Sequence, residues 1–463
     1  MNGNSYNSEV KLQRVLKLRD LVIYGIILIQ PGASLALFGH ANNLSKGHAV
    51  TTILVAMVAM ILTAISYGRM ANRYPSAGSA YTYVGRGLNP VLGFIAGWCM
   101  FLDYLIVPII CIIYSSITAN HLLPIIPYEV WIFFFMIIGT FINLRGIKFT
   151  SLTNKILLVI MSMVIFYFMA AMIRYIFVKD GLDGLFTIQP FYNKDNFSWN
   201  VIWTGTSLAA LTYIGFDGLT TLSEEVENPR RNVLLATVLT CLITGVWSGS
   251  QVYLAQASYP GLFSTINAIT DETVKNHALD TAIMTVANKA GGIWLDSILS
   301  LIILIAHIGS NITGQAGASR LLYGMGRDSV LPKKFFGHLD RKFAEPSYNI
   351  ILIAIISLIS AFVLNYEECA RLINFGAFLA FIGVNLTVIR EYYFRAKEKT
   401  IKSFFINFFA PAVGSVICFY IWRGLPFKTF VVGGVWMIVG IGYLAIRTKG
   451  FSEKIKMIDY FGI

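Results

Sequence analysis

Two carboxylates stand in apolar stretches of this sequence, where a charge is costly. Asp217 lies in Gly215-Phe216-Asp217-Gly218, inside an apolar run over 201–222 that is long enough to cross a bilayer. Asp103 lies in the apolar stretch 90–118. A charge at the bilayer centre costs at least ~2.5–3.5 kcal/mol, so we expect both carboxylates to face a protein-lined or watery cavity. There they could bind a cationic ligand or share a proton, although Asp103 could instead bond a backbone break or a tyrosine.

Two apolar stretches contain residues that interrupt helices. Gly215 and Gly218 permit a break around Asp217, because glycine adopts positive φ without steric cost. The first stretch contains Gln30-Pro31-Gly32-Ala33. Pro31 has no backbone N–H to donate, and its ring clashes with the preceding helical turn. Free N–H and C=O groups at such breaks can hold the anionic and cationic groups of one ligand. Interruptions in corresponding membrane segments indicate a secondary transporter, while close helix packing and a plain proline kink are the alternatives.

The composition is that of a polytopic membrane protein. Of 463 residues, 56% are hydrophobic and 13% are charged, and the mean hydropathy is +0.66. The net charge of +12 indicates basic cytoplasmic loops and not nucleic-acid binding. The five cysteines show no metal-ligand spacing, so we expect neither a metal nor a cofactor. The polar N-terminus lacks the apolar core of a signal peptide.

The length and flanking residues of the apolar stretches predict an all-α integral membrane protein with twelve transmembrane helices. They cover 20–41, 48–68, 90–118, 126–144, 152–178, 200–222, 232–256, 292–316, 347–365, 370–391, 404–422 and 427–447. Basic residues concentrate after the even-numbered stretches, so we expect both termini to be cytoplasmic.

Further side chains are candidates for binding, proton transfer or gating. Tyr104, Tyr213 and Phe216 could line the site or close it, or could face lipid or core. His307 could carry a proton or remain neutral and hydrogen-bonded, and Ser310 and Asn311 could bond a ligand. An inner gate could form between acidic and basic residues at the cytoplasmic surface, unless these only make a solvated loop. These gate candidates are Arg69, Arg73, Glu224, Glu225 and Arg230.

Four motifs resemble the amino acid–polyamine–organocation superfamily of permeases. They are Tyr74-Pro75-Ser76-Ala77-Gly78-Ser79-Ala80-Tyr81-Thr82-Tyr83, Ile214-Gly215-Phe216-Asp217, Ser223-Glu224-Glu225-Val226-Glu227-Asn228-Pro229-Arg230-Arg231 and Ser319-Arg320-Leu321-Leu322-Tyr323-Gly324-Met325-Gly326-Arg327-Asp328. Within the superfamily the chain is most similar to bacterial putrescine-importer-like permeases. That likeness lies in Leu62-Thr63-Ala64-Ile65-Ser66-Tyr67-Gly68, Leu102-Asp103-Tyr104-Leu105 and Leu372-Ile373-Asn374-Phe375-Gly376-Ala377.

The resemblance implies two inverted five-helix repeats, 20–178 and 200–391, with broken helices 1 and 6. Peripheral helices 11 and 12 over 404–447 and cytoplasmic tails over 1–19 and 448–463 complete the expected chain. The substrate site would include Gln30, Gly32 and Ala33 of helix 1. Superfamily members that carry amino acids usually have a Gly-Ser/Ala-Gly turn there, whose amides hold the substrate carboxylate. Pro31 has no N–H, and Ala36 stands where putrescine importers carry an acidic residue.

The leading hypothesis is a plasma-membrane importer, in the bacterial inner membrane, of a small amino acid or a putrescine-like polyamine. It would work by alternating access and be proton-coupled through Asp217, Asp103 or His307. An amino acid exchanger and a non-transporting nutrient sensor are the alternatives. An enzyme is disfavoured, since no nucleophile–base set, metal motif or phosphate loop is present. A channel lacks a charged ring or carbonyl filter, and the oligomeric state stays open.

Overall fold

The computed structural model describes residues 16–74, 79–145, 150–223, 226–327, 331–340, 345–396, 400–450 and 452. The side chains of 150–157, 221, 324 and 327 are not described. Glu224 and Glu225, two of the gate candidates, lie outside the described residues, as does the segment 75–78 of the first superfamily motif. The regular structure of the described part is helical, apart from one bridge between Leu16 and Val226.

Eighteen α-helices follow one another in the described chain. In order, α1 to α18 are Leu18–Ile29, Ala33–Leu44, Ala49–Arg73, Ser79–Gly87, Pro90–Leu122, Tyr128–Arg145, Thr150–Leu185, Trp199–Ala209, Pro229–Ser258, Leu262–Asn267, Glu272–Asp280, Ala282–Arg327, Lys333–Phe336, Ser347–Val363, Tyr366–Val388, Ile401–Phe404, Ala410–Arg423 and Phe427–Arg447. Two 3₁₀ segments, Ala210–Tyr213 and Phe216–Leu222, follow α8. Two π segments, Ile389–Arg395 and Phe405–Phe409, follow α15 and α16.

Nine helices in the described residues are long and apolar enough to cross a membrane, or ten if α1 and α2 form one span bent by 49°. The membrane class and the all-helical fold are therefore confirmed. Two of the twelve predicted spans fall outside this criterion. α14 has only 17 residues, and the segment that begins with α8 loses α-helical geometry after Ala209. The total of twelve stays a prediction.

Helix boundaries follow local capping chemistry. Asn89 accepts a hydrogen bond from the Val91 backbone with Pro90 at the first position of α5, and Asn365 and Glu368 form a capping box at α15. The predicted connections contain more helix than expected. α4 lies in the connection between the predicted spans 48–68 and 90–118. The stretch 257–292 holds α10, α11 and the first part of α12, which ends at a kink at Gly292.

The buried centre of the bundle is built from α5, α15, α3, α9 and α12. Over the most apolar 18 residues of each span, α5 and α15 are each 72% buried, whereas α6 and α18 are 22% buried. The outer helices expose Phe, Ile and Val side chains, as a lipid-facing ring should. α1 packs against α9 and the second 3₁₀ segment, so both broken segments lie at the centre of the bundle.

Candidate functional site

The two predicted breaks meet at one place in the bundle. The first separates α1 from α2 at Gln30, which has φ 65°. The second falls at Gly215, with φ 115°, between the two 3₁₀ segments. A Cβ added at Gly215 would lie 3.3 Å from the carbonyl oxygen of Leu28, the last residue but one of α1. The glycine therefore permits both the turn and the close approach of the two broken segments.

Side-chain hydrogen bonds connect the first break to neighbouring helices. Gln30 donates through Nε2 to the Ala306 carbonyl of α12 at 3.0 Å. Gln251 of α9 donates to the Pro31 carbonyl at 3.1 Å and accepts from the Ser34 hydroxyl at 3.3 Å. Sequence reasoning missed Gln251, although a glutamine deep in an apolar helix is a signal that could have found it. The Gln251 bond satisfies the Pro31 carbonyl, which a continuous helix would have paired internally.

A cleft of about 70 Å³ lies beside the first break, between α1, α7 and α12. Gln30 and Ser310, two predicted site residues, line it, and Thr313 adds a hydroxyl. The remaining lining residues are Ile27, Leu28, Pro31, Leu158, Met161, Ala306 and Gly309. Gly32 and Ala33 start the adjoining turn, with Gly32 nearest to Met161. The cleft thus lies between the break and the facing surfaces of α7 and α12.

Asp103 and Asp217 are both buried, at 5% and 3% exposure, and each lies near enough for its charge to act on the other. Their surroundings differ. The Asp217 carboxylate interacts with the backbone of its own turn, from Gly215 to Gly218. Within the described residues, Oδ1 of Asp103 has no hydrogen-bond partner, and no basic side chain acts on either carboxylate. Two buried acids without a counter-cation make a strongly electronegative site.

Aromatic rings surround this pair. Tyr104 and Tyr67 both lie within range of the two carboxylate charges. Phe216 is fully buried and packs edge-on against Tyr67, with ring centroids 5.5 Å apart, and against Phe381 at 5.3 Å. Tyr213, in contrast, points away and donates to the Ile53 carbonyl of α3 at 2.8 Å. Tyr67 was not among the predicted site residues.

Two polar candidates on α12 bond elsewhere. Asn311 donates to the Phe135 carbonyl of α6 at 3.2 Å, so it fixes a helix pair. Nδ1 of His307 lies 2.8 Å from the Ile303 carbonyl one turn earlier, and the ring packs on Tyr114 with centroids 4.7 Å apart. A ring nitrogen that faces a carbonyl oxygen must carry a hydrogen, so Nδ1 of His307 is a donor. If the ring is neutral, the other ring nitrogen carries no hydrogen and can accept a hydrogen bond.

One basic gate candidate, Arg73, lies near a carboxylate that sequence reasoning missed. Glu391 is 1% exposed in the π segment after α15. It accepts from Tyr74 at 3.1 Å and from Arg395 at 2.9 Å, and Arg73 lies 3.8 Å away. Arg69 stacks over the Tyr392 ring at 4.0 Å, whereas Arg230 is exposed at the start of α9. Contacts with the Glu391 carboxylate therefore connect the end of α3 to the end of α15.

The amino acid permease family model matches residues 21–446, nearly the whole chain and both breaks. The chain belongs to the amino acid permease family. The resemblance read from the motifs is therefore confirmed. This permease is 34% identical over 461 residues to the low-affinity putrescine importer PlaP of Escherichia coli strain K12, covering 99% of each chain.

Two other relatives of this permease are named for different substrates. The branched-chain amino acid permease BcaP of Lactococcus lactis is 25% identical, over 92% of this chain and 93% of its own. The methylthioribose transporter of Bacillus subtilis is 25% identical, over 96% and 95% of the two chains. All three are named importers, permeases or transporters, so the expectation that this chain is not an enzyme is confirmed. The shared fold evidently accommodates more than one kind of small solute.

Proposed function

We propose that this permease imports a small polyamine of the putrescine class across the bacterial plasma membrane. The observation that carries the proposal is the buried pair Asp103 and Asp217, on which no described basic side chain acts. An alkyl diammonium would supply the missing positive charge, and Asp103 offers an unpartnered oxygen to it. Tyr67 and Tyr104 would add their ring faces to the cation.

The first break favours an amine over an amino acid. Binding an α-carboxylate needs several free backbone N–H groups at the break. Pro31 lacks one, and the Ala33 N–H already donates to the Gln30 carbonyl at 3.2 Å. The name of the Escherichia coli relative, a putrescine importer, points the same way.

Transport would follow alternating access between two five-helix repeats, 20–178 and 200–391. Twelve spans, peripheral helices over 404–447 and cytoplasmic termini complete the proposed topology. An inward proton gradient would drive uptake, with Asp103 or Asp217 as the protonated group. Their closeness favours one proton or one ammonium for the pair, since two unscreened like charges destabilise each other.

Uptake of labelled putrescine and of an amino acid panel into proteoliposomes tests the proposal. We expect putrescine uptake that rises when the outside is made more acidic than the inside, and weak uptake of neutral amino acids. The control is the same preparation with the gradient collapsed by a protonophore.

Three results would contradict parts of the proposal. Uptake of amino acids without putrescine would mean that the first break binds a carboxylate despite Pro31. Exchange of labelled for unlabelled amino acid without net uptake would favour an exchanger. Ligand-induced stabilisation of the protein without any flux would favour a nutrient sensor of the same fold.

A further inference from the structure

A second buried ionic cluster lies around α2, the helix that follows the first break. We call the residues His40, Asp280, Glu367 and Arg371 the His40 cluster. His40 of α2 places Nε2 2.8 Å from Oδ1 of Asp280, at the end of α11, and Nδ1 3.3 Å from Oε2 of Glu367, in α15. Arg371 bonds Glu367 one turn later in α15. His40 is 4% exposed.

The two carboxylates beside His40 favour its imidazolium form. Ionised carboxylates only accept hydrogen bonds, and a neutral imidazole can donate through one nitrogen only. Nε2 of His40 is hydrogen-bonded to Asp280 and Nδ1 lies 3.3 Å from a Glu367 oxygen, so a ring with a hydrogen on each nitrogen suits both contacts. With the imidazolium, the His40 cluster sums to zero charge. With neutral imidazole, one negative charge would remain unpaired in a largely buried place.

Within the part of the chain that the structure describes, the charged side chains that act on His40 are Asp280 and Glu367. From α5, Tyr114 donates its hydroxyl to the Asp280 backbone carbonyl at 3.3 Å, and its ring packs on His307 of α12 and Tyr366 of α15. The other helices against α2, which include α3, α8, α9 and α12, bring no charge to the imidazole.

We propose that the His40 cluster is the outer gate of this permease, and that opening it releases the His40 proton to the external water. The inference rests on the proposed transport function and orientation. The cluster joins α2, which continues from the substrate break, to α11 of the loop 257–292 and to the start of α15. Admitting a solute from this side must separate α2 from both partners, and that separation exposes the imidazolium to solvent.

The direction of the pH effect follows from proton counting. The closed cluster holds one proton more than an open one in which His40 is neutral. Raising the external pH therefore favours opening, by up to about tenfold per pH unit for one proton released. Acidic external pH favours closure, which seals a solute that has already entered. The same proton returns to the outside, so the gate is separate from the coupling proton at Asp103 or Asp217.

Labelling of a cysteine placed under the gate tests the inference without any substrate. Ala36 is one turn deeper on α2 than His40 and is 1% exposed. In intact cells, Ala36→Cys would be labelled with a membrane-impermeant maleimide at external pH 5.5 to 8.5. Each rate would be divided by that of Asn276→Cys, an exposed site on α11, which removes the pH dependence of thiol reactivity. The five native cysteines are buried, so background is low.

We expect normalised labelling of Ala36→Cys to rise at least tenfold from pH 5.5 to 8.5. Adding His40→Gln should make labelling fast and independent of pH, and Asp280→Asn should do the same in part. The matched control is His121→Gln, which removes another His–Asp pair, between α5 and α12, and should leave the pH profile intact. A flat profile in Ala36→Cys alone, or a profile unchanged by His40→Gln, would overturn the gate. Because no transport is measured, failure of putrescine uptake would not affect this result.

Discussion

Asp103 and Asp217 are a similar pair of buried acids with unequal freedom to bind a ligand. Asp217 interacts with the backbone of its own turn, so it stabilises the break and adds negative potential. Asp103 sits on the intact helix α5 and keeps Oδ1 free of partners within the described chain. A substrate ammonium is the natural donor for that oxygen, since an unpaired buried acceptor costs free energy.

Asp103→Asn is expected to weaken putrescine uptake without unfolding the protein. A hydrogen bond to a charged group contributes about 1.5–3 kcal/mol. Its loss should raise the apparent KM about 10- to 150-fold, at about 1.4 kcal/mol per tenfold change. Asp217→Ala should instead lower the thermal unfolding midpoint, because the backbone of the Gly215–Gly218 turn loses the carboxylate that interacts with it.

The control for both variants is Asp183→Asn, which changes an exposed carboxylate at the end of α7. Uptake kinetics and unfolding in the same detergent would be measured for all three. Unaltered KM in Asp103→Asn would remove Asp103 from the substrate site. Wild-type stability in Asp217→Ala would show that the backbone of the turn does not depend on the carboxylate.

At the scale of elements, the sequence predicted what depends on local chemistry. Pro31 and Gly215 mark the two breaks because each acts on the backbone within one turn. Proline lacks an N–H group, and glycine adopts positive φ. Long apolar runs gave the positions of the spans for the same reason. The contacts of His40 with its carboxylates and of Tyr74 with Glu391 were missed, since they join residues hundreds of positions apart, such as His40 and Asp280, separated by 240. Spacing in sequence carries no information on such pairs until the helices are packed.

Gly215→Ala is expected to damage the central break. A side chain at φ 115° is strained, and its Cβ would press on the Leu28 carbonyl at 3.3 Å. Strain of this kind costs about 1–3 kcal/mol. We expect a lower unfolding midpoint and reduced uptake.

Gly434→Ala in α18 is the matched control for Gly215→Ala. A Cβ there meets no atom within 4 Å, and alanine favours a helix. It should keep wild-type uptake and stability. Equal behaviour of the two variants would mean that the Gly215 turn is not required in the working protein.

At the scale of the whole molecule, two charged contacts lie at opposite ends of the central broken segments. The His40 cluster joins α2, α11 and α15 at one end. Glu391 joins α3 to the end of α15 at the other. α15 therefore carries a buried carboxylate near each terminus, Glu367 and Glu391, and takes part in both contacts. A helix bonded at both ends is well placed to open one contact while the other stays closed.

Charge predicts the orientation of this arrangement in the bilayer. Basic residues concentrate after the even-numbered stretches, so we expect α13 in the cytoplasm and α11 outside. In intact cells, Asn276→Cys in α11 should react with an impermeant maleimide, whereas Lys334→Cys in α13 should react only after permeabilisation. Both side chains are exposed, so access and not burial decides the outcome. Labelling of Lys334→Cys alone would invert the topology, and the His40 cluster would then close the cytoplasmic end of the path.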